Sequence, residues 1–437
     1  MDFKDLIAGN EFVILDGAMG TMLQQNGMKA GELPELIGIS RPEIVTGIHR
    51  EYIEAGAQII YANTFGANRY NMNRTEYSVE DAVKAAIQNA KKAAQGTDVL
   101  VALDIGPIGH MLEPLGSLRF EDAYELYKEE VLAGNDADVI VIETMTDLYD
   151  MKAALLAAKE NSDLPVICSM TFERSLRTFT GCPISAMALT AQGLGADAIG
   201  LNCSLGPKEI VALAEEIAKW TSLPIVVKPN AGLPDPETGA YDVSPEEFAG
   251  YMKEMVGLGV KIFGGCCGTT PAFIKSLREM LSKEHFQKNV NTVPSGICSA
   301  SKTVIMEGML REEKGINPAG DKDLENALIE GDMDYVADLA MEMAEEEAEI
   351  ISVNAAIAGV DEKECLPGMI RTIQSITNIP LVIDSVVPEA VEAAARVYNG
   401  VPGIYLGTGD DKSLQAILPI AKKYGALVIP RSLSNEQ

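Results

Sequence analysis

The sequence predicts an α/β protein with an N-terminal (β/α)8 TIM barrel and a C-terminal partial β/α domain of about five strands. Two observations predict the barrel. Eight short apolar runs, typical of parallel strands buried on both faces, alternate with amphipathic segments such as "DLYDMKAALLAAKE". Each run also carries polar residues at its C-terminal end, and in a barrel these ends meet at one mouth, where active sites are built.

The eight runs follow one another at the spacing expected of strand–helix units. They begin at Phe12, Ile59, Val99, Val139, Pro165, Ala198, Pro224 and Gly259. The polar residues that end them are Asp16, Asn63, Thr64, Asp104, Glu143, Thr171, Asn202, Cys203, Asn230, Cys266 and Cys267. A doubly wound open sheet is the alternative, but that architecture usually has fewer strands.

Length and charge restrict the class of protein. The chain has 437 residues, enough for two domains, and its 47% hydrophobic content supports full cores. The net charge of -29 argues against nucleic acid and against anionic membrane surfaces as partners. The N-terminus lacks a signal-peptide pattern, and no run approaches the length that spans a bilayer. We therefore expect a cytoplasmic protein, and the odd number of seven cysteines fits a reducing compartment.

The stretch "FGGCCGTTP" places Cys266 and Cys267 side by side at the end of the eighth run. Neighbouring cysteines are poorly placed to form a disulfide with each other, so they are either small buried residues or ligands of one metal. Cys203 ends the sixth run and supplies a third thiol at the same mouth. Three thiolates without a fourth Cys or His nearby predict a Zn²⁺ ion with an open coordination position, in preference to buried, unligated thiols.

The other cysteines do not join this pattern. Cys168 lies inside the fifth run and is expected in the core, whereas Cys182, Cys298 and Cys365 stand alone in predicted loops or helices. A zinc ion with three thiolates is a poor Lewis acid, but it binds a substrate thiol as thiolate. The predicted chemistry is therefore alkylation of sulfur. The glycine-rich "DGAMGT" adds a loop whose backbone N–H groups could hold a carboxylate or phosphate.

Eight motifs, in order over residues 10–285, resemble the homocysteine S-methyltransferase family, including the N-terminal region of cobalamin-dependent methionine synthases. They are "DGAMGTML", "YANTFGANR", "LDIGP", "IETMTD", "SMTF", "LNCSLGP", "KPNAG" and "GGCCGTTP". The resemblance implies methylation of homocysteine to methionine. Another small thiol as acceptor, or a non-catalytic zinc-thiolate or corrinoid-docking module, are the alternatives.

The resemblance also implies roles for individual residues. The family's zinc ligands match Cys203, Cys266 and Cys267, and Asn230 matches an asparagine that completes the zinc shell before substrate binds. Carboxylates matching Asp16 and Glu143 would hold the amino group of the substrate. Backbone groups of the loop with Gly20 and Thr21 would hold its carboxylate.

The sequence predicts a barrel over residues 1–288, a polar linker over 289–302 and a second domain over 303–437. Strands of the second domain are expected at Val304, Glu349, Pro380, Gly403 and Ala426. This region resembles the front part of a pterin-binding barrel, with matching residues at Asn317, Asn354 and Asp384.

The second region departs from the pterin-binding pattern. Lys314, Gly315 and Ser352 replace the family's residues, and the back half of the barrel is missing. We therefore predict that it does not bind methyltetrahydrofolate. Five strands leave open sheet edges, which predict an interface with the first barrel, a second copy or a partner.

The methyl donor is not specified by a motif. No corrinoid-binding "DxHxxG" segment occurs, so a separate methyl-corrinoid protein is the leading donor. A small onium compound is the second, because Tyr61, Phe65 and Tyr70 could supply cation–π contacts, although packing is the more common role of such aromatic residues.

Overall fold

The structure is a computed structural model that describes residues 2–235, 241–307, 313–406 and 411–430, with the side chains of 411–414 left aside. Its chain divides into two compact units. The first contains Met1–Thr180 and Ala196–Val293, and the second contains Gly181–Gly195 and Pro294–Gln437. Within the described ranges, no helix is long and apolar enough to cross a membrane.

The eight predicted runs all form strands of one parallel sheet. These are β1 (Val13–Ile14), β2 (Ile59–Tyr61), β3 (Leu100–Ile105), β4 (Val139–Met145), β5 (Val166–Met170), β6 (Ala198–Asn202), β7 (Ile225–Lys228) and β8 (Val260–Phe263). Their order is β1-β8-β7-β6-β5-β4-β3-β2, and a parallel bridge between Leu15 and Ile59 connects β1 to β2 around the ring. The predicted barrel is therefore confirmed.

Helices connect the barrel strands. They are α1 (Phe3–Ala8), α2 (Met19–Gln25), α3 (Pro34–Ser40), α4 (Pro42–Ala55), α5 (Arg69–Met72), α6 (Val79–Ala94), α7 (Phe120–Ala133), α8 (Leu148–Asn161), α9 (Ile184–Gly193), α10 (Ile210–Ile217), α11 (Pro245–Glu254) and α12 (Pro271–Leu281). Several begin at side-chain caps. Ser78 and Asp81 form a capping box at α6, and Ser244 and Glu247 form one at α11.

Side chains from every second position of each strand point inward and fill the barrel interior. This inner layer includes Val13, Leu15, Ile59, Tyr61, Leu100, Ala102, Val139, Val141, Ile167, Ala198, Val226 and Ile262. Because side chains alternate between the two faces of a strand, the next inward positions lie above this layer, at the C-terminal ends. On β3, β4 and β7 these positions are Asp104, Glu143 and Lys228.

The second unit contains a five-stranded parallel sheet. Its elements are β11 (Glu313–Ile316), α13 (Lys322–Glu330), α14 (Met333–Glu345), β12 (Ile350–Val353), α15 (Glu362–Ile376), β13 (Leu381–Ile383), α16 (Pro388–Val397), β14 (Gly403–Leu406), α17 (Asp411–Tyr424) and β15 (Leu427–Pro430). The strand order follows the chain from β11 to β15. The predicted partial β/α domain of about five strands is confirmed.

One strand of this sheet differs from the prediction. The run at Val304 forms β10 (Thr303–Ile305), which pairs antiparallel with β9 (Gly296–Cys298) and does not join the five-stranded sheet. The first strand of the sheet is β11, which begins at Glu313 and has one buried residue, Ile316. An edge strand so poor in buried residues lacks the apolar signal on which the prediction depended.

The same hairpin changes two further expectations. β9 lies within residues 289–302, which were predicted as a linker, and Cys298 lies in this strand, not in a loop or helix. Cys298 is fully buried, and its neighbour Ile297 packs with Val304, Ile350 and Val382 in the core of the second unit. Cys168, by contrast, is buried inside β5 as expected.

Candidate functional site

The three cysteines predicted as metal ligands meet at the mouth of the barrel. The sulfur atoms of Cys203, Cys266 and Cys267 lie within 4.8 Å of one another, and all three residues are half-buried. In a tetrahedral zinc site with bonds of about 2.3 Å, two sulfurs are about 3.8 Å apart. The donor type and spacing therefore fit a zinc ion held by three thiolates.

The C-terminal extension of β7 holds the two cysteine loops together. The backbone N–H of Cys203 donates to Lys228 O at 3.0 Å, and that of Cys266 donates to Pro229 O at 2.8 Å. Cys267 O in turn accepts from the N–H of Ala231 at 2.9 Å. Because β7 lies between β6 and β8, its extension fixes the distance between thiols that are far apart in sequence.

The sulfur cluster stabilises negative charge even before a metal is considered. Hydrogen bonds from Cys203 and Cys266 lower the pKa of Cys267 to about 3. The same contacts, to Cys203 and Cys267, raise the pKa of Cys266 well above its usual value. The Tyr241 hydroxyl also hydrogen-bonds to Cys267 and helps to lower its pKa. Without a metal, Cys267 is therefore the thiolate of the group, and the thiols of Cys203 and Cys266 donate hydrogen bonds to it.

Tight turns surround the sulfurs. Gly268 has a φ of +80°, and a Cβ atom there would lie 2.4 Å from the Tyr241 ring. Only glycine satisfies both conditions, because a positive φ strains other residues and no space exists for a side chain. The N–H of Gly268 donates to Thr21 Oγ1 at 3.1 Å, which connects this turn to the segment after β1.

A buried ion pair lies next to the cysteines. Lys228 Nζ is 2.9 Å from Glu143 Oε2, and both side chains are almost completely buried. The Lys228 ammonium also lies 3.6 Å from the centre of the Tyr61 ring. Burial alone lowers the pKa of Lys228, but Glu143, Tyr61 and Asp16 outweigh burial and hold this pKa well above its usual value.

Two more buried carboxyls complete an acidic group at the mouth. Asp16 Oδ2 accepts from the Tyr61 N–H at 2.7 Å. Burial raises the pKa of Asp16 to about 7, against the opposing effect of Lys228. Burial, and then Glu143, raise the pKa of Asp104 well above its usual value. Three carboxyls thus share one lysine.

Asn202 aligns the ends of three neighbouring strands. Its Oδ1 accepts from the Thr144 N–H at 2.9 Å and from the Ser169 hydroxyl at 2.8 Å, and its Nδ2 donates to Thr144 Oγ1 at 2.7 Å. Thr171 Oγ1 donates to the Asn202 carbonyl at 2.9 Å. These bonds place Glu143, directly before Thr144, relative to Cys203, directly after Asn202.

Two sequence expectations require correction at this site. Gly20 and Thr21 lie in the first turn of α2, so their N–H groups belong to a helix and not to a loop; no side chain caps this helix. The rings of Tyr61, Phe65 and Tyr70 are less available for cation–π contacts with a ligand than expected, because Lys228 covers the Tyr61 ring and the Tyr70 ring lies tilted against His110, with 4.2 Å between the ring centres.

The remaining predicted residues are distributed over both units. Asn230, next to the cysteines, has a buried Oδ1 without a hydrogen-bond partner. In the second unit, Asn354 Nδ2 donates to Asp384 Oδ2 at 3.1 Å, and Asn317 Oδ1 accepts from the Ala319 N–H at 2.9 Å.

Lys228 and Tyr241 were not predicted as contributors to the site, and Asn202 was predicted only as one of the polar strand ends at the mouth. A lysine that ends an apolar strand, as in "IVVKPN", is a signal that could have identified Lys228, because a buried ammonium needs an acidic partner.

Comparisons with known proteins identify relatives of the barrel region. A family model described as homocysteine S-methyltransferase matches residues 13–281. Methionine synthase from Mycobacterium tuberculosis is 26% identical over 475 aligned residues, covering 100% of this chain and 39% of the relative. Methionine synthase from Mycobacterium leprae is 27% identical over 469 residues, covering 96% of this chain and 38% of the relative. The chain thus spans less than two fifths of the length of these relatives.

A solved structure shares the barrel fold. The metallated form of the homocysteine methyltransferase MmuM from Escherichia coli superposes with a TM-score of 0.55 at 23% identity. The match covers 63% of this chain and 98% of that protein.

Proposed function

Because the chain belongs to the homocysteine S-methyltransferase family, we propose that it methylates the sulfur of homocysteine to give methionine. The observation that carries this proposal is the group of three sulfurs within 4.8 Å at the barrel mouth, beside buried acidic residues. A thiol that also carries an ammonium group matches these two features together.

Cys203, Cys266 and Cys267 would hold a zinc ion, with Asn230 able to fill the fourth position when no substrate is present. A zinc ion in this position would lower the pKa of a bound thiol, so that the thiol reacts as thiolate near neutral pH. The thiolate at Cys267 supports this role, because ligands must lose their protons before they bind a metal.

The other residues of the site would orient the amino-acid part of the substrate. Acidic groups at Asp16 and Glu143 would attract its ammonium group, and the backbone of Gly20 and Thr21 would face its carboxylate. The hydrogen bonds of Asn202 keep the Glu143 and Cys203 segments in register, so the sulfur of the substrate can be directed toward the cysteines.

We also propose that a separate methyl-corrinoid protein delivers the methyl group. Loops and short helices after barrel strands carry large, exposed apolar side chains at Phe65, Tyr70, Met111, Leu115, Phe179 and Leu233. Exposed apolar residues grouped around a site are typical of surfaces that contact another protein. A small onium donor is less well supported, because Tyr61 is already covered by Lys228.

A methyl-transfer assay with homocysteine tests the function. The zinc-loaded protein is incubated with homocysteine and, in parallel, with a methyl-corrinoid protein, a betaine or a sulfonium compound, and methionine is measured by mass spectrometry. We expect methionine with the methyl-corrinoid donor. Methylation of other small thiols but not of homocysteine would contradict the acceptor. Tight zinc and donor binding without any transfer would indicate a docking module.

A further inference from the structure

The Tyr241 side chain lies against the sulfur cluster and supplies it with a hydrogen-bond donor. Its hydroxyl hydrogen-bonds to the Cys267 sulfur. A phenol has a pKa of about 10 and keeps its proton at neutral pH, whereas a thiolate has no proton to give, so the hydroxyl is the donor. Backbone groups also donate to these sulfurs: the Ser204 N–H to Cys203, and the Cys267 N–H to its own side chain. Tyr241 adds a side-chain donor to these backbone donors.

Contacts of the ring and of the backbone hold Tyr241 beside Cys267. The ring covers Gly268, where a Cβ atom would lie 2.4 Å from Tyr241 Cδ2. Two residues after the tyrosine, the Val243 N–H donates to Ala231 O at 3.2 Å, and the Ala231 N–H donates to Cys267 O at 2.9 Å. Because ring and backbone are both connected to the cysteine loop, the hydroxyl has a fixed position at the sulfur.

A methyl-transfer site built from cysteines must direct the methyl group to one sulfur among several. The proposed function places a substrate thiolate next to Cys203, Cys266 and Cys267, and all three cysteines are only half-buried. In the wanted reaction, a lone pair of the substrate sulfur forms the new S–CH₃ bond, and the donor keeps the electron pair of the bond that breaks. The same reaction at a cysteine would turn a charged metal ligand into a neutral thioether and damage the metal site.

We propose that Tyr241 is a positioning residue that lowers the reactivity of the Cys267 sulfur, so that the substrate sulfur accepts the methyl group. This inference rests on the proposed function, because it requires zinc bound by the three cysteines. A hydrogen bond from the hydroxyl stabilises the lone pair that would attack the methyl group, and this bond weakens when a thiolate becomes a thioether. Attack by Cys267 therefore has a higher barrier than attack by a thiolate that lacks such a donor.

Limited alkylation of the zinc-loaded protein tests this role without a methyl donor. The protein is treated briefly with iodoacetamide, which forms an S–C bond and releases iodide. Labelling of Cys203, Cys266 and Cys267 is then measured separately by tandem mass spectrometry of the peptides. Tyr241→Phe removes the hydroxyl and keeps the ring on Gly268. In this variant Cys267 should be labelled about tenfold faster than in the wild type, an effect of about 1.4 kcal/mol, while the other two rates stay close to those of the wild type.

The absorption spectrum of a substituted metal provides a second measurement. Co²⁺ replaces zinc in the wild type and in Tyr241→Phe, and the sulfur-to-cobalt charge-transfer absorption is recorded. Loss of a hydrogen bond raises the energy of the sulfur lone pair, so this absorption should move to longer wavelength in the variant. Tyr251→Phe, at a half-buried tyrosine of α11, is the matched control and should change neither the absorption nor the labelling.

The outcomes separate this inference from the proposed function. Equal labelling of Cys267 in Tyr241→Phe and in the wild type, with zinc retained, would overturn the role of Tyr241 alone. Faster labelling of all three cysteines together with loss of zinc would also overturn it, because Tyr241 would then support metal binding in general. A wild-type protein that binds no zinc would overturn the proposed function and this inference with it. Selective labelling of Cys267 in the variant, without methionine formation by the wild type, would overturn the proposed function but not the protection of Cys267.

Discussion

Cys203 of the cysteine cluster and two residues near it have a backbone conformation that residues other than glycine rarely adopt. Thr144, Cys203 and Ser204 have φ angles of 63°, 61° and 61°. Such residues cost on the order of 1–3 kcal/mol each and persist where the surrounding contacts fix them. Here the Asn202 side chain binds both the N–H and the hydroxyl of Thr144. The positive φ angles turn the chain sharply at the ends of β4 and β6, and these turns bring Glu143 and Cys203 to the mouth of the barrel.

Removal of a single thiol should abolish metal binding. We expect about one zinc per chain in the purified protein, and much less in Cys266→Ser, because a neutral hydroxyl is a poor substitute for a thiolate ligand. Zinc is measured by elemental analysis after dialysis. Cys365→Ser, which changes a buried thiol of α15 in the second unit, is the matched control and should keep its zinc. Full zinc content in Cys266→Ser would contradict the ligand assignment.

The sequence predicted which thiols come together, because strand ends of a barrel converge whatever the details of the loops. Lys228 could not be assigned in the same way. Its partner Glu143 is three strands away in the sheet, and only the inward direction of both side chains brings them within 2.9 Å. Likewise, the helical first turn at Gly20 lacks a capping side chain, and "DGAMGT" therefore resembled a loop.

At the scale of elements, α7 and α8 pack through a buried polar contact. The Tyr127 hydroxyl donates to Asp150 Oδ1 at 2.8 Å, and Tyr127 also accepts from the Ile108 N–H at 3.2 Å. Burial raises the pKa of Asp150 to about 7, although the Tyr127 bond opposes this change. In the folded chain, the carboxyl of Asp150 therefore stays protonated over a pH range in which the same carboxyl is ionised in the unfolded chain.

This carboxyl predicts a pH-dependent effect of Asp150→Asn. Below about pH 4 both states hold the proton. Between about pH 4 and 7 only the folded state holds it, so the stability that Asp150 contributes is lost as pH rises. Residue 150 of the variant cannot titrate. The free energy of unfolding of the variant, relative to that of the wild type, should therefore rise by about 1.4 kcal/mol per pH unit in this range.

Urea unfolding at pH 5 and pH 7 checks the effect, with the fluorescence of Trp220, the single tryptophan, as the signal from the first unit. Asp136→Asn, at an exposed position after α7, is the control for loss of a surface charge. A difference between Asp150→Asn and wild type that is equal at both pH values would contradict the buried, protonated state of Asp150.

At the scale of the whole molecule, the second unit has a sheet that does not close. Its order runs from β11 to β15 without a return to β11 among the described residues. The Tyr405 hydroxyl and Glu313 hydrogen-bond across one face, from β14 to β11. Ser352, which replaces an expected carboxylate, lies on β12 and bonds weakly to the Lys314 carbonyl at 3.4 Å.

We therefore expect no useful affinity for methyltetrahydrofolate. A hydroxyl at Ser352 cannot replace a charged acceptor for the pterin N–H groups, and a hydrogen bond to a charged group contributes about 1.5–3 kcal/mol. Titration followed by fluorescence or calorimetry should show no saturation at concentrations on the order of tens of micromolar. Saturable binding that Asp384→Asn removes would contradict this prediction and would make the folate a candidate methyl donor.

The sequence predicted the class and strand number of both units but not their division of the chain. Apolar runs predict strands, and in the barrel region these runs are long and clearly separated. Helix α9 belongs to the second unit because of contacts with residues far along the chain, which no local sequence pattern can indicate. Gly193, at the end of α9, lies against Gly425, and Ser185 hydrogen-bonds to Thr303 at 2.9 Å. The prediction of the first sheet strand at Val304 was wrong for the same reason, because only pairing distinguishes a hairpin from a sheet.

The assignment of Gly181–Gly195 to the second unit has a consequence for synthesis on the ribosome. This segment is made between β5 and β6, well before Pro294 and the rest of its unit leave the exit tunnel. Residues Ile184 to Ala191 are all buried in the finished protein, so a nascent chain carries an apolar helix without its final neighbours. A chain released before residue 294 would keep that helix uncovered and exposed to chaperones or self-association.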